Sequence, residues 1–126
     1  MWLILQQDES DDYVIATGKQ YSVRQFIEAA SGELGLDIEW KGDGIDEVGI
    51  DRNTGKQIIA VDSRYFRPTE VETLLGDPSK AKRVLGWEAT PPFSQLVSEM
   101  VATDHEVAKR DALVKEAGYQ TFNYHE

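Results

Sequence analysis

The chain has 126 residues, room for one core, with 40% hydrophobic and 29% charged residues, the balance of a folded chain. It has no cysteine, which excludes disulfides, thiolate metal sites and cysteine nucleophiles. Twenty-three acids against 13 bases leave a net charge of −10, which opposes nucleic acid and anionic membranes as partners; no apolar run approaches the roughly 20 residues of a membrane span, and the absence of a signal sequence predicts a cytoplasmic protein.

The chain opens on Trp2-Leu-Ile-Leu5, uncapped, which reads as the last turns of a helix. Residues 13–17, Tyr-Val-Ile-Ala-Thr, are short, β-rich and apolar on both faces, the pattern of a buried parallel strand, closed by Gly18. Ser22-Val-Arg-Gln25 fits a capping box. Phe26, Ile27, Ala30 and Leu34 follow at helical spacing, with Gly35 placed to end the helix. Ile38-Glu-Trp40 reads as a strand. Residues 48–50 and 57–61 are β-rich and flank Asp51-Arg-Asn-Thr-Gly55, which carries turn chemistry, so a hairpin or an excursion is predicted. Asp77 as N-cap and Pro78 at the first helical position start a short helix with Ala81, Val84 and Leu85 on its stripe, ended by Gly86. A longer helix begins at Phe93 or Ser94, with Leu96, Val97, Met100, Val101, Val107 and Ala108 on one stripe interrupted by Asp104. Tyr119, Phe122 and Tyr124 in the last ten residues are expected to dock on a surface. The architecture is α+β, the remnant of an α/β order.

Little in the chain can do catalysis alone. His105 and His125 are far apart and read as exposed. There is no HExxH and no Walker loop. The acids Asp43, Asp46, Glu47 and Asp51 lack the spacing of a calcium loop. No catalytic, cofactor-binding or metal-ligating residue is assigned. Basic residues gather instead at Arg64, Arg67, Lys80, Lys82 and Arg83, where an anion would bind. In Arg64-Tyr-Phe-Arg67-Pro-Thr-Glu70-Val71, an arginine fork suits a phosphate, and a carboxylate three residues on suits sugar hydroxyls. On spacing alone, an Arg67–Glu70 pair that merely pins a loop is equally consistent.

The run from Arg64 through Asp77-Pro-Ser-Lys80-Ala…Leu85-Gly-Trp87 resembles the C-terminal region of the GDP-mannose 4,6-dehydratase family. Gln6-Gln-Asp, Asp12-Tyr-Val-Ile-Ala-Thr-Gly18, Ser22-Val-Arg and Gly49-Ile-Asp…Thr54-Gly-Lys56 look like the same family in the same order. The Asp77 to Trp87 pattern is shared by many nucleotide-sugar epimerases and dehydratases of the extended short-chain dehydrogenase/reductase superfamily; the Arg-Pro-Thr-Glu-Val motif narrows it to the GDP-mannose branch. The resemblance implies that residues 1–110 are the C-terminal substrate-binding region of such a protein, without its N-terminal Rossmann part, and leaves 111–126 unassigned. It implies an NADP-dependent conversion of GDP-mannose to GDP-4-keto-6-deoxymannose, toward GDP-fucose or GDP-rhamnose, with Arg67 on the diphosphate and Glu70 on the ribose hydroxyls. The family's glycine-rich cofactor turn and catalytic Tyr-x-x-x-Lys have no counterpart here, since none of the five tyrosines has a lysine four residues on. This chain alone is therefore expected to bind no NADP, to bind a GDP-sugar weakly and to be inactive; a noncatalytic GDP-sugar-binding module or a structural module is the alternative. Residues 13–17 and the stripe from Leu96 to Val107 would lack partners, so a homodimer or larger assembly is expected.

Overall fold

The computed structural model describes residues 1–67 and 74–121. Its regular elements are helix α1 (Val23–Glu33), strands β1 (Ile38–Lys41), β2 (Val48–Asp51) and β3 (Gln57–Ala60), helix α2 (Ser79–Leu85) and helix α3 (Phe93–Glu116). Helix α3 runs on past residue 110.

Helix α1 starts as its sequence dictates. Ser22 Oγ accepts from the Gln25 N–H at 3.1 Å, and Gln25 Oε1 accepts from the Ser22 N–H at 2.8 Å, so two donors at the helix start satisfy each other reciprocally. It ends on Gly35 at φ +71°. There the Gly35 N–H reaches the Gly32 carbonyl at 3.1 Å and the Leu36 N–H the Ser31 carbonyl at 2.9 Å, the paired bonds of a Schellman ending, which glycine enters without steric penalty.

The three strands form an antiparallel meander in the order β1-β2-β3. Trp40 lies opposite Gly49, and Gly49 opposite Ile59. A shift after Gly49 pairs Ile50 with Gln57, so Ile58 bulges out of the ladder. The β2–β3 turn closes on Asp51, whose side chain is 2% exposed. Its carboxylate accepts from Thr54 Oγ1 at 2.7 Å and the Asn53 N–H at 3.2 Å. The Thr54 bond, more than any other, holds that carboxyl below its ordinary pKa.

Helix α1 packs on α3. The junction is aromatic: Phe93 stacks on Tyr21 with centroids 3.9 Å apart and meets Phe26 edge-on at 6.4 Å. Tyr21 precedes the N-cap of α1 and Phe26 lies in its first turn, so Phe93 joins the two into a three-ring staple. Val97, one turn further along α3, is buried. Arg24 on α1 pairs with Glu47 and sits 4.9 Å from the Trp40 ring centroid, while Trp40 Nε1 donates to Glu28 at 2.9 Å; these contacts fasten the sheet to the helix.

The opening residues form a 3-10 turn, Ile4–Gln6. Residues 13–17 form no strand. A strand exists only through the ladder it joins, and among the described residues none runs beside this segment to accept its bonds. The short helix spans Ser79–Leu85, one residue after the start that the sequence suggests, and the Asp77 carboxylate accepts from the Ser79 N–H at 2.9 Å, the bond expected of an aspartate at a helix start. Gly86 ends it at φ +64°. Tyr119 does not dock: it is 73% exposed, and Phe122 and Tyr124 lie outside the described residues.

Candidate functional site

Strand β3 delivers the chain into a tight turn at Asp62. The Asp62 carbonyl accepts from the N–H groups of Tyr65 and Phe66 at 3.0 and 3.1 Å. Its carboxylate accepts from the Arg64 N–H at 2.9 Å and from Arg64 Nη2 and Nε at 2.7 and 3.1 Å. Aspartate two residues before a donor is suited to this turn, because its short side chain reaches the backbone it has just left. The Arg64 bonds hold the Asp62 carboxyl below its ordinary pKa, the guanidinium contributing most and the Arg64 N–H adding to it. The Arg64 fork is therefore a brace for the turn, and its guanidinium carbon lies 5.4 Å from the Tyr65 ring centroid.

Arg67 follows this brace and is exposed. Glu70 lies outside the described residues. Sequence reasoning named Arg64 and Arg67 together as a basic segment; the turn engages Arg64 with Asp62. It missed Asp62, although Asp-x-Arg spacing on the far side of a strand was the available signal.

Three members of the basic cluster, Arg64, Lys80 and Lys82, have acidic partners. Arg64 is on Asp62, Lys80 is 2.6 Å from Asp11, and Lys82 pairs with Glu88. These pairs are solvent-exposed, so each contributes little to stability, but they neutralise much of the local positive charge.

A cleft of about 270 Å³ opens beside the aromatic staple, lined among others by Thr17, Lys19, Tyr21, Pro92 and Phe93. It holds no acid–base pair. His105, exposed, flanks a separate apolar groove between α1 and α3 with Phe26, Leu34 and Met100. Among the described residues, no three histidine, aspartate or glutamate side chains gather as metal ligands. No described helix is long and apolar enough to cross a membrane.

Comparison with known proteins places this geometry in context. Residues 1–100 match the family model described as GDP-mannose 4,6 dehydratase. A GDP-mannose 4,6-dehydratase of Vibrio cholerae is 52% identical over 128 aligned residues, covering 94% of this chain and 34% of the relative. That of Sinorhizobium fredii is 56% identical, covering 82% of this chain and 30% of the relative. The human GDP-mannose 4,6 dehydratase is 48% identical, covering 86% and 29%. The chain spans about a third of the length of these curated relatives.

Proposed function

Because the chain belongs to the GDP-mannose 4,6-dehydratase family, we propose that it is the substrate-binding, C-terminal portion of an extended short-chain dehydrogenase/reductase that dehydrates GDP-mannose to GDP-4-keto-6-deoxymannose. In this reading Arg67 holds the diphosphate and Glu70 the ribose hydroxyls. A planar guanidinium donates two parallel hydrogen bonds to phosphate oxygens, and a carboxylate accepts from two vicinal hydroxyls. One observation carries the reading: residues 1–100, the stretch that holds Arg67 and Glu70, match the family model.

NADP, the cofactor of this chemistry, does not fit the residues present. Dinucleotides sit where a glycine-rich turn after a strand opens a helix. Here Gly32 and Gly35 close α1 instead of opening it, and Gly42 and Gly44 lead from β1 only into a three-residue 3-10 turn. No step through the dinucleotide is assigned to these residues.

Calorimetric titration with GDP tests the assignment on the 126-residue chain, on Arg67→Lys and on Arg67→Ala. Weak saturable binding is expected for the parent chain. Arg67→Lys keeps the charge and loses the fork, so it should weaken binding, and Arg67→Ala should weaken it further. Equal affinity in all three removes Arg67 from the site. Absence of saturable binding would favour a structural module with no ligand.

A further inference from the structure

We propose that Asp62 is a positioning residue for the diphosphate of a GDP-sugar, acting on Arg67 through the turn that it closes; this rests on the reading of Arg67 given above. The sheet carries the chain only as far as Ala60, the last residue of β3, which pairs with Val48. Arg67 stands seven residues further on. Seven extended residues reach about 23–25 Å, so a slack segment would let the guanidinium sweep a wide volume. Ordering that segment only when the ligand arrives would cost affinity.

The turn takes up that slack. The Asp62 carboxylate accepts from the Arg64 N–H at 2.9 Å, and its carbonyl from those of Tyr65 and Phe66 at 3.0 and 3.1 Å. One residue thus holds three successive amides, up to the neighbour of Arg67. The same carboxylate takes Arg64 Nε and Nη2, and that guanidinium lies over the Tyr65 ring, so side chains close the turn as well as the main chain. The Asp62–Arg64 pair is exposed, with the Arg64 side chain 75% and the Asp62 side chain 42% accessible, so it adds little to global stability. Its effect is local, on the segment that presents Arg67. The sign of the charge separates this from simple electrostatics. If Asp62 acted only through its charge, removing it would free Arg64 and strengthen the binding of an anion. If Asp62 acts by holding the turn, removing it weakens that binding.

Calorimetric titration of GDP into the parent chain, Asp62→Ala, Arg67→Ala and the double variant reads the difference, with melting by circular dichroism as the control for folding. Asp62→Ala should lower the affinity for GDP by about threefold to tenfold, the range expected when one long side chain must be ordered on binding, and shift the melting midpoint by only a few degrees. Asp62→Asn can still accept the Arg64 N–H but lacks the charge that grips the guanidinium, so its loss should be smaller. In the Arg67→Ala background, Asp62→Ala should cause no further loss, because the side chain it positions is gone. If Arg67→Ala weakens binding while Asp62→Ala leaves it unchanged or tightens it, the proposal is overturned and the Arg67 assignment stands. Additive losses in the double variant overturn it as well. No binding by the parent chain, or equal binding by the parent and Arg67→Ala, overturns both. If Asp62→Ala fails to fold, Asp62→Asn decides by the same comparisons.

Discussion

Gly49 sits where the meander is most tightly closed, and adding one methyl group there tests that packing. A Cβ at this position would meet Ile59 Cβ and Cδ1 at 3.0 Å and Ile38 Cγ2 at 3.2 Å. The Cδ1 atom can swing away, but Ile59 Cβ is fixed to the backbone of the partner strand, so β3 itself must move. Overpacking of this kind costs about 1–3 kcal/mol. Replacing glycine in a strand returns about 0.5–1 kcal/mol of backbone entropy. Gly49→Ala should therefore destabilise the chain by about 1 kcal/mol, the difference between the middles of those two ranges. Urea unfolding followed by far-UV circular dichroism reads this as a lower midpoint at unchanged slope, by about 0.5–1 M for each kcal/mol. Ile59→Val removes Cδ1 and should recover part of the loss in the double variant, a coupling of about 0.5 kcal/mol or more. A Gly49→Ala chain as stable as the parent would refute the reasoning, because it would mean that β2 and β3 are not in the register described.

Three further outcomes are expected. Ser22→Ala removes half of the capping box and should cost about 0.5–2 kcal/mol, lowering the thermal midpoint by several degrees; Ser22→Asp should retain most of the stability, and a loss as large as that of alanine would count against the cap. Asp51, Asp62 and Asp77 all have folded-state carboxyls below their ordinary pKa, through Thr54, Arg64 and Ser79 respectively. The unfolded chain then binds protons more readily, so stability is fully present above about pH 4 and falls as the pH drops through the lower folded values; melting temperatures from pH 6 to 2 that do not decline would contradict these bonds. The 126-residue chain with added NADP and GDP-mannose should form no 4-keto product, because it contains no Tyr-x-x-x-Lys and general acid–base catalysis needs such groups within hydrogen-bond reach; product formed by the chain free of contaminating enzyme would sink the substrate-portion reading.

Much of the fold is written in local chemistry. The Ser22–Gln25 box, the Gly35 and Gly86 endings and the Asp51 to Gly55 turn each concern residues within a few positions of one another, and each formed as its residue types dictate. Residues 13–17 misled because their composition specifies a preference for pleated surroundings, not the presence of a neighbour. The Asp62 brace was missed for a different reason. Charge counting treats Arg64 as available, whereas a carboxylate two residues away had already claimed its fork. At the candidate site the motif was legible as a run of residue types, while the engagement of Arg64 by Asp62 depends on a turn that only three dimensions display.

The aromatic staple that joins Tyr21, Phe26 and Phe93 is a clasp whose two halves stand far apart in the chain, with the meander and α2 strung between them. The entropy lost in closing such a loop grows only with the logarithm of its length, about 0.6 kcal/mol for each doubling. A few residues gained or lost between β3 and α2 hardly alter that quantity, whereas one residue gained between Ser22 and Phe26 would rotate Phe26 by about 100° around α1 and open the clasp. The chain is thus tolerant of length where it wanders and strict where it fastens, and divergence among such sequences should accumulate as insertions in the connections while the spacing at the fastening is held to the residue.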